Sequence, residues 1–298
     1  MLTQKKISVI SVCYNDAGSV REMYRRVTEV MKTVSPNYEI IYVDDKSPDN
    51  ALEILRELAA GDKRLKVIVH SRNFGANGSI SQIAYTTGMR YCTGDVAILI
   101  DGDLQDPPEM FPEFIKKWLD GYNIVYGIGK RRGGGIIMNF FRLCFYSLFA
   151  KLSYLNIPIF ASDFCLLDRK ALNAINSFRE VDRYIRGMRP YVGFKSIGVP
   201  YERSERYSGV GFSTRHFLRF VKFAKKLIFS FSYKPIEGIS YMGLIFVLIG
   251  VIRFSSLFFV GGVILLALSI IGEYIARIFD EVKGRPIGII EEIINDDK

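Results

Sequence analysis

Val96-Ala-Ile-Leu-Ile-Asp-Gly-Asp-Leu-Gln-Asp-Pro-Pro-Glu109 is the stretch on which the reading of this chain turns. Val96–Ile100 is a short, wholly apolar run, as expected of a strand covered on both faces. Two aspartates one residue apart follow it at once. Pro107 and Pro108 then stand where proline is tolerated, in the first turn of a helix reaching Asp120. Two carboxylates at the end of a buried strand, Asp101 and Asp103, can converge on one hard divalent cation, which prefers such oxygens. A cation there suits chemistry in which a diphosphate must leave, because it neutralises the charge that develops. Asp-x-Asp alone is common by chance; the strand before it and the proline stop after it give it meaning. The plainer reading is an acidic turn, with Asp106 capping the helix at Pro107.

Outward from this stretch, strand-like and helix-like runs alternate. Ile7–Cys13 reads as a strand, and Val20, Met23, Tyr24, Val27, Val30, Met31 and Val34 recur at helical spacing. Tyr38–Val43, Lys66–His70 and Asn123–Tyr126 read as further strands, Ala51–Ala59 and Gly78–Arg90 as helices. The pattern predicts an α/β domain with a mostly parallel sheet. Polar clusters fall at strand ends: Asn15 and Asp16, then Asp44 and Asp45, then Asp101 and Asp103. Ligands of open α/β sheets bind outside those carboxyl ends. Asp44 or Asp45 would accept from a nucleotide base or ribose, while Asp49 and Asn50 cap the next helix. Arg72, in Ser71-Arg-Asn-Phe-Gly75, would meet a diphosphate or pair with a neighbouring acid. The turn Cys13-Tyr-Asn-Asp-Ala-Gly18 lacks the GxGxxG of a dinucleotide oxidoreductase.

The charge balance narrows the partners. Forty Lys and Arg against 31 Asp and Glu give +9, which favours an anionic partner. No nucleic-acid-binding module accompanies that charge. Four scattered cysteines and two histidines give no zinc spacing and suit a reduced, cytoplasmic setting. The first residues become polar too soon for a secretory signal peptide.

Apolar residues gather towards the C-terminus. Thr214–Phe231 places Phe217, Phe220, Val221, Ala224, Leu227, Ile228 and Phe231 on one helical face, with Arg215, Arg219, Lys222, Lys225 and Lys226 opposite. This suits an interfacial helix on an anionic membrane, or a helix covering the core. Ile236–Ile252 and Phe254–Ile271 are apolar runs interrupted only by Arg253, each marginal against the ~20 residues of a span. Two spans in a tight hairpin are expected, with a single span or a re-entrant hairpin as alternatives. Flanking basic residues place both termini in the cytoplasm. The expected organisation is 1–210 catalytic domain, 211–234 juxtamembrane helix, 235–279 transmembrane hairpin and 280–298 cytoplasmic tail.

Cys13-Tyr-Asn15, Val43-Asp-Asp-Lys-Ser47, Ser71-Arg-Asn-Phe-Gly75 and Asp101-Gly-Asp-Leu-Gln-Asp-Pro-Pro-Glu109 occur in an order that resembles family 2 glycosyltransferases of GT-A fold. The nearest likeness is to the branch that glycosylates polyisoprenyl phosphates. Ser162-Asp-Phe-Cys-Leu-Leu-Asp-Arg169, Pro200-Tyr-Glu-Arg203 and Phe229-Ser-Phe-Ser-Tyr-Lys-Pro235 agree, as does Ile271-Gly-Glu-Tyr-Ile-Ala-Arg277, so the likeness covers nearly the whole chain. It implies inverting transfer from a UDP- or GDP-sugar to a lipid phosphate at a bacterial inner membrane, by a multi-pass protein whose catalytic domain is cytoplasmic. It implies Mg²⁺ or Mn²⁺ on Asp101, Asp103 and Gln105, and nucleotide contacts from Tyr14, Asn15, Asp44, Asp45, Arg72 and Asp101. Asp103, Asp163 and Arg131 are then the catalytic candidates, and Lys130, Arg131 and Arg132 the cations for the acceptor phosphate. Asp163 would orient the acceptor or steady Arg131. The likeness is also compatible with a homo-oligomer. Three departures stand out: Cys165 where relatives usually carry Arg, no Lys in Gly209-Val-Gly-Phe-Ser-Thr214, and almost no loop between the apolar runs. A saccharide acceptor is the alternative, although the QxxRW of processive synthases is absent; a catalytically silent membrane scaffold is the other.

Overall fold

The structure, a computed structural model, describes residues 1–75, 82–129, 161–180, 183–204 and 257–296. Strand β1 (Ile7–Cys13) is buried along its whole length. It lies parallel between β2 (Tyr38–Asp44) and β4 (Val96–Asp101), and β3 (Leu65–His70) continues parallel beyond β2. Burial on both faces explains the near-continuous apolar runs of these strands. With β5 (Ile124–Gly129), β6 (Ala161–Asp168), β7 (Ser196–Tyr201) and β8 (Ile290–Ile294), the sheet has the order β7-β5-β6-β4-β1-β2-β3-β8. β6 and β8 run against their neighbours, and β7 is parallel to β5. The expected α/β class and mostly parallel, GT-A-like sheet are therefore observed.

Adjacent strand residues point to opposite cores. On one face, Val9, Ile40 and Ile98 meet α1 (Ala17–Val34), α2 (Ala51–Gly61) and α4 (Phe111–Leu119) through Met23, Met31, Leu55 and Phe114. On the other, Ile10, Ile41 and Leu99 meet α3 (Gln82–Tyr91), α5 (Arg169–Asn176) and α6 (Ile185–Tyr191) through Tyr85, Met89, Leu172 and Met188.

Two compact units emerge: residues 1–139, 157–213 and 287–298, and residues 140–156 and 214–286. The stretch expected as a tail thus includes a strand of the sheet. β8 pairs antiparallel with β3, and Glu291, Glu292 and Asp296 form ion pairs with Lys46, Arg56 and Lys66. Local hydropathy does not reveal this, because Ile290-Glu-Glu-Ile-Ile294 is an edge strand recognised only by its partner.

In the second unit, α7 (Leu257–Lys283) is 27 residues long, and its last eleven include Glu273, Arg277, Asp280, Glu281 and Lys283. Among the described residues no helix is long and apolar enough to cross a membrane, so the expected two-span hairpin is not supported. The physical reason lies in those charges, which end the apolar part of α7 early. Thr214–Phe231, Ile236–Ile252 and the loop with Lys130, Arg131 and Arg132 lie outside the described residues.

Candidate active site

The geometry at the end of β4 starts from a glycine. A Cβ at Gly102 would stand 2.7 Å from the Val12 carbonyl oxygen, to which the Gly102 N–H donates at 3.0 Å. Ser19 Oγ donates to the Gly102 carbonyl at 2.7 Å. The turn is thereby held against β1, and its two aspartates are carried past the strand end. Leu104 then takes φ 63°; Asn15 and Lys46, in the turns after β1 and β2, take φ 60° and 59°. Left-handed non-glycine backbone costs about 1–2 kcal/mol per residue. Three such residues, one after each of three parallel strands, mark this edge as a place where geometry is kept against strain.

Asp101 Oδ1 accepts from the Tyr85 hydroxyl at 2.8 Å, and Arg203 Nη2 lies 3.8 Å from Oδ2. Asp106 is 1% exposed. It accepts from the Tyr201 hydroxyl and pairs with Arg203 Nε at 3.2 Å. Asp106 therefore does not cap a helix; the 3-10 turn Pro108–Met110 has no side-chain cap. Asp103 Oδ1 accepts from the Gln105 backbone N–H at 3.1 Å. Strand pairing brings in Asp163: Leu99 faces Cys165, so two residues onward Asp163 comes alongside Asp101. Arg186 of α6 grips Asp163 with Nε at 2.9 Å and Nη2 at 2.5 Å.

These contacts set the electrostatics. Burial, then the neighbouring Asp106, Asp103 and Asp163, push the Asp101 carboxyl up to about 7, against Arg203. Burial also raises Asp106, opposed by Arg203 and the Tyr201 hydroxyl. Asp163 moves the other way. Its burial is outweighed by Arg186, which holds it below the usual carboxylate range. The edge thus gathers four carboxyl groups, two of them with a raised hold on their protons, around Arg186 and Arg203.

No group of three His, Cys, Asp or Glu able to hold a metal is found among the described residues. A magnesium-like cation commonly takes one or two carboxylates and completes its shell with substrate phosphates and water. Asp101 and Asp103 fit that donor set.

The second and third clusters are more enclosed than the sequence suggests. Asp44 is 1% and Asp45 6% exposed. Asp44 accepts from Ser47 Oγ at 2.5 Å and from the Ser47 N–H. Asp45 accepts from the Phe74 and Gly75 N–H groups at 3.0 and 2.8 Å. It also meets His70 Nδ1 at 2.8 Å, while His70 Nε2 lies 2.8 Å from Thr87 Oγ1. Burial would raise the Asp45 carboxyl, but the His70 and backbone bonds lower it overall. Both aspartates thereby fix the turns that carry Lys46, Ser47 and residues 71–75. Tyr14 is exposed, the Asn15 N–H donates to Ser47 Oγ at 3.2 Å, and Arg72 stacks 4.2 Å over Phe74. Asp49 accepts from the Ala17 and Ala51 N–H groups, tying together the starts of α1 and α2.

Sequence reasoning missed Tyr85, His70, Tyr201, Arg186 and Arg189. Tyr85 reads as an ordinary core aromatic, and Arg186 sits 23 residues from the Asp163 it grips. Arg203 stood within a quoted motif, but its pairing with Asp101 and Asp106 is a tertiary fact. Cys165, one of the departures, is buried in β6, where burial raises its thiol and nearby Arg189 opposes that rise.

A carboxylate edge stands at the carboxyl ends of the parallel strands, bordered by the half-buried Arg186 and Arg203 and the buried Arg189. The chain belongs to glycosyl transferase family 2, whose model matches residues 8–175. It is 37% identical to the uncharacterized glycosyltransferase YkcC of Bacillus subtilis, over 96% of this chain and 93% of that one. It is 30% identical to the SfII prophage-derived bactoprenol glucosyl transferase of Shigella flexneri, over 96% and 98%. Among solved structures, the mannosyltransferase PcManGT of Pyrobaculum calidifontis, in complex with GDP-Man and Mn²⁺, matches with TM-score 0.46 and 18% identity, over 66% of this chain and 55% of that one. The protein is accordingly a glycosyltransferase.

Proposed function

We propose that this glycosyltransferase moves a sugar, with inversion, from a UDP- or GDP-sugar to a polyisoprenyl phosphate at a membrane surface. The observation that carries the reading is the carboxylate edge of Asp101, Asp103, Asp106 and Asp163 beside Arg203 and Arg186. Asp101 and Asp103, with Gln105, are assigned to hold Mg²⁺ or Mn²⁺. When bound, that cation neutralises charge on the leaving diphosphate.

An oxygen of the acceptor phosphate attacks the anomeric carbon as the bond to the diphosphate breaks, and the electron pair departs with the diphosphate. A phosphate oxygen is already anionic, so no strong base is required. Asp163, kept ionised by Arg186, is assigned to orient the acceptor rather than to take a proton. Tyr14, Asn15 and Arg72 are assigned to the nucleotide. Asp44 and Asp45 shape its two flanking turns and retain acceptor lone pairs for base or ribose. Lys130, Arg131 and Arg132 are assigned to the acceptor phosphate from their sequence alone.

Support for the lipid acceptor comes from the near full-length similarity to a protein named as a bactoprenol glucosyl transferase. A second support lies on α7, where Val260, Ile264, Leu268, Ile271, Ile275, Ile278 and Val282 are exposed at spacings of three and four. Such a row suits contact with acyl chains. The basic flanks favour a cytoplasmic catalytic unit. Within this reading the catalytic domain is 1–210 with β8 added, the juxtamembrane helix 211–234 and the membrane segment 235–279.

The test incubates purified protein with Mn²⁺, a panel of UDP- and GDP-sugars and undecaprenyl phosphate, and follows radiolabelled sugar into the lipid phase beside an Asp103→Ala control. Metal-dependent labelling, lost in the variant, is expected. Donor binding without lipid labelling would redirect the reading to a saccharide acceptor. Absence of any donor binding would leave the scaffold.

A further inference from the structure

Three arginines converge on the Asp101–Asp163 edge: Arg186, Arg189 and Arg203. Arg203 faces Asp106 and Asp101, and Arg186 faces Asp163. Arg189 has no carboxylate within ion-pair distance among the described residues. It is nonetheless only 4% exposed. Its Nη2 donates to the Ser162 carbonyl at 2.9 Å, and its guanidinium lies 5.2 Å from the Tyr126 ring centroid. Among the described residues Nη1 is buried without a hydrogen-bond partner. A buried charge with no carboxylate at ion-pair distance is expensive, and a packed domain keeps one where it serves an interaction.

The placement says which interaction. Arg189 stands one helical turn from Arg186 on α6, and both reach β6, at Ser162 and Asp163. It lies along β6, bonded at Ser162 and close to Asp163 and the Cys165 thiol. The donor diphosphate belongs with Asp101 and Asp103. The second anion of the reaction belongs across from it, where Asp163 alone would repel it.

We infer that Arg189 supplies the fixed positive charge that holds the acceptor phosphate beside Asp163. The inference rests on the lipid-phosphate reading above. A charge in so enclosed a place acts over several ångströms without direct contact, because little water screens it. It is therefore a positioning residue, and its effect belongs in acceptor affinity.

The experiment measures kcat and separate KM values for nucleotide-sugar and undecaprenyl phosphate in the wild type, Arg189→Met, Arg189→Lys and the double variant Arg189→Met/Cys165→Arg. Arg189→Met is expected to raise acceptor KM about 30-fold, as loss of an enclosed and weakly screened charge would, with donor KM unchanged. Arg189→Lys should recover most of that loss, since charge matters more than the guanidinium fork. The double variant, which returns a cation from the neighbouring β6 position, should recover part of it. Equal changes in both KM values, tracking a lowered Tm, would mean a structural arginine and overturn the inference. Unchanged acceptor KM in Arg189→Met, with a wild type that does label lipid phosphate, would overturn it while leaving the proposed function intact. A wild type that labels no lipid phosphate would overturn both.

Discussion

The two halves of the sheet reach the same site by different means. Strands β3, β2, β1 and β4 deliver their polar residues in the turns that follow them, so Asn15, Asp45 and Asp101 stand close to the apolar runs that announce them. In the other half, β6 enters antiparallel to β4 and presents Asp163 from its beginning rather than its end. Its counter-charges come from α6 and from Arg203 just past β7. One half holds Asp101, Asp103 and Asp106; the other holds Asp163 with the half-buried Arg186 and Arg203. A reaction between a diphosphate-linked donor and an anionic acceptor needs both, because a cation site and a phosphate site repel each other's ligands unless they are kept apart.

The sharpest way to break this division is at Asp103. Asp103→Ala is expected to lower transfer about 10³-fold through lost charge stabilisation at the leaving group, read as radiolabel entering lipid. A drop of similar size with no dependence on added Mn²⁺ in the wild type would erase the distinction between the halves.

Asp101 offers a titration. Its raised carboxyl, at about 7, keeps a proton that the unfolded chain loses near ~3.9. Its contribution to stability in the absence of metal therefore declines as pH rises from about 4 to about 7. Protons and metal compete for it, so Mn²⁺ affinity should rise about tenfold per pH unit below 7 and level off above. Calorimetric titration checks this, and Asp101→Asn should flatten the dependence.

In the arginine half the corresponding test is one of stability. Asp163→Asn leaves Arg186 without its carboxylate and should cost about 3 kcal/mol, seen as a lower denaturation midpoint. Because Asp163 is held below its usual range, the wild-type advantage is full above the unfolded pKa and fades as pH falls through the lowered value. A difference that persisted at strongly acidic pH would point to packing instead.

The smallest effect concerns strain. Leu104→Gly should relieve the φ of 63° and stabilise the protein by about 0.5–1 kcal/mol while reducing transfer, since the turn would hold Asp103 less firmly. A stabilised variant with undiminished activity would show that the strained turn is incidental.

Much of the fold was legible because buried parallel strands write themselves as apolar runs. Val96–Ile100 predicted β4 to within one residue, and the helical spacing from Val20 to Val34 marks α1. The acidic clusters were legible for the same reason. β6 and β8 were not. The first follows a long glycine- and aromatic-rich stretch, and the second is a five-residue edge strand more than 200 residues from its partner. The apolar C-terminal runs suggested two spans, yet the charges from Glu273 onward limit what α7 provides.

By itself the sequence determined that there is a mostly parallel sheet and which strand ends are acidic. These follow from local patterning, which a chain carries wherever it folds. Only the tertiary structure decided that Asp106 is buried against Tyr201 and Arg203 rather than capping a helix, and that Asp163 stands beside Asp101. It also decided that Arg186 is matched by an acid, while Arg189 has no carboxylate at ion-pair distance among the described residues. Pairing across a sheet and burial of charge depend on contacts between distant residues, and no window along the chain contains both partners.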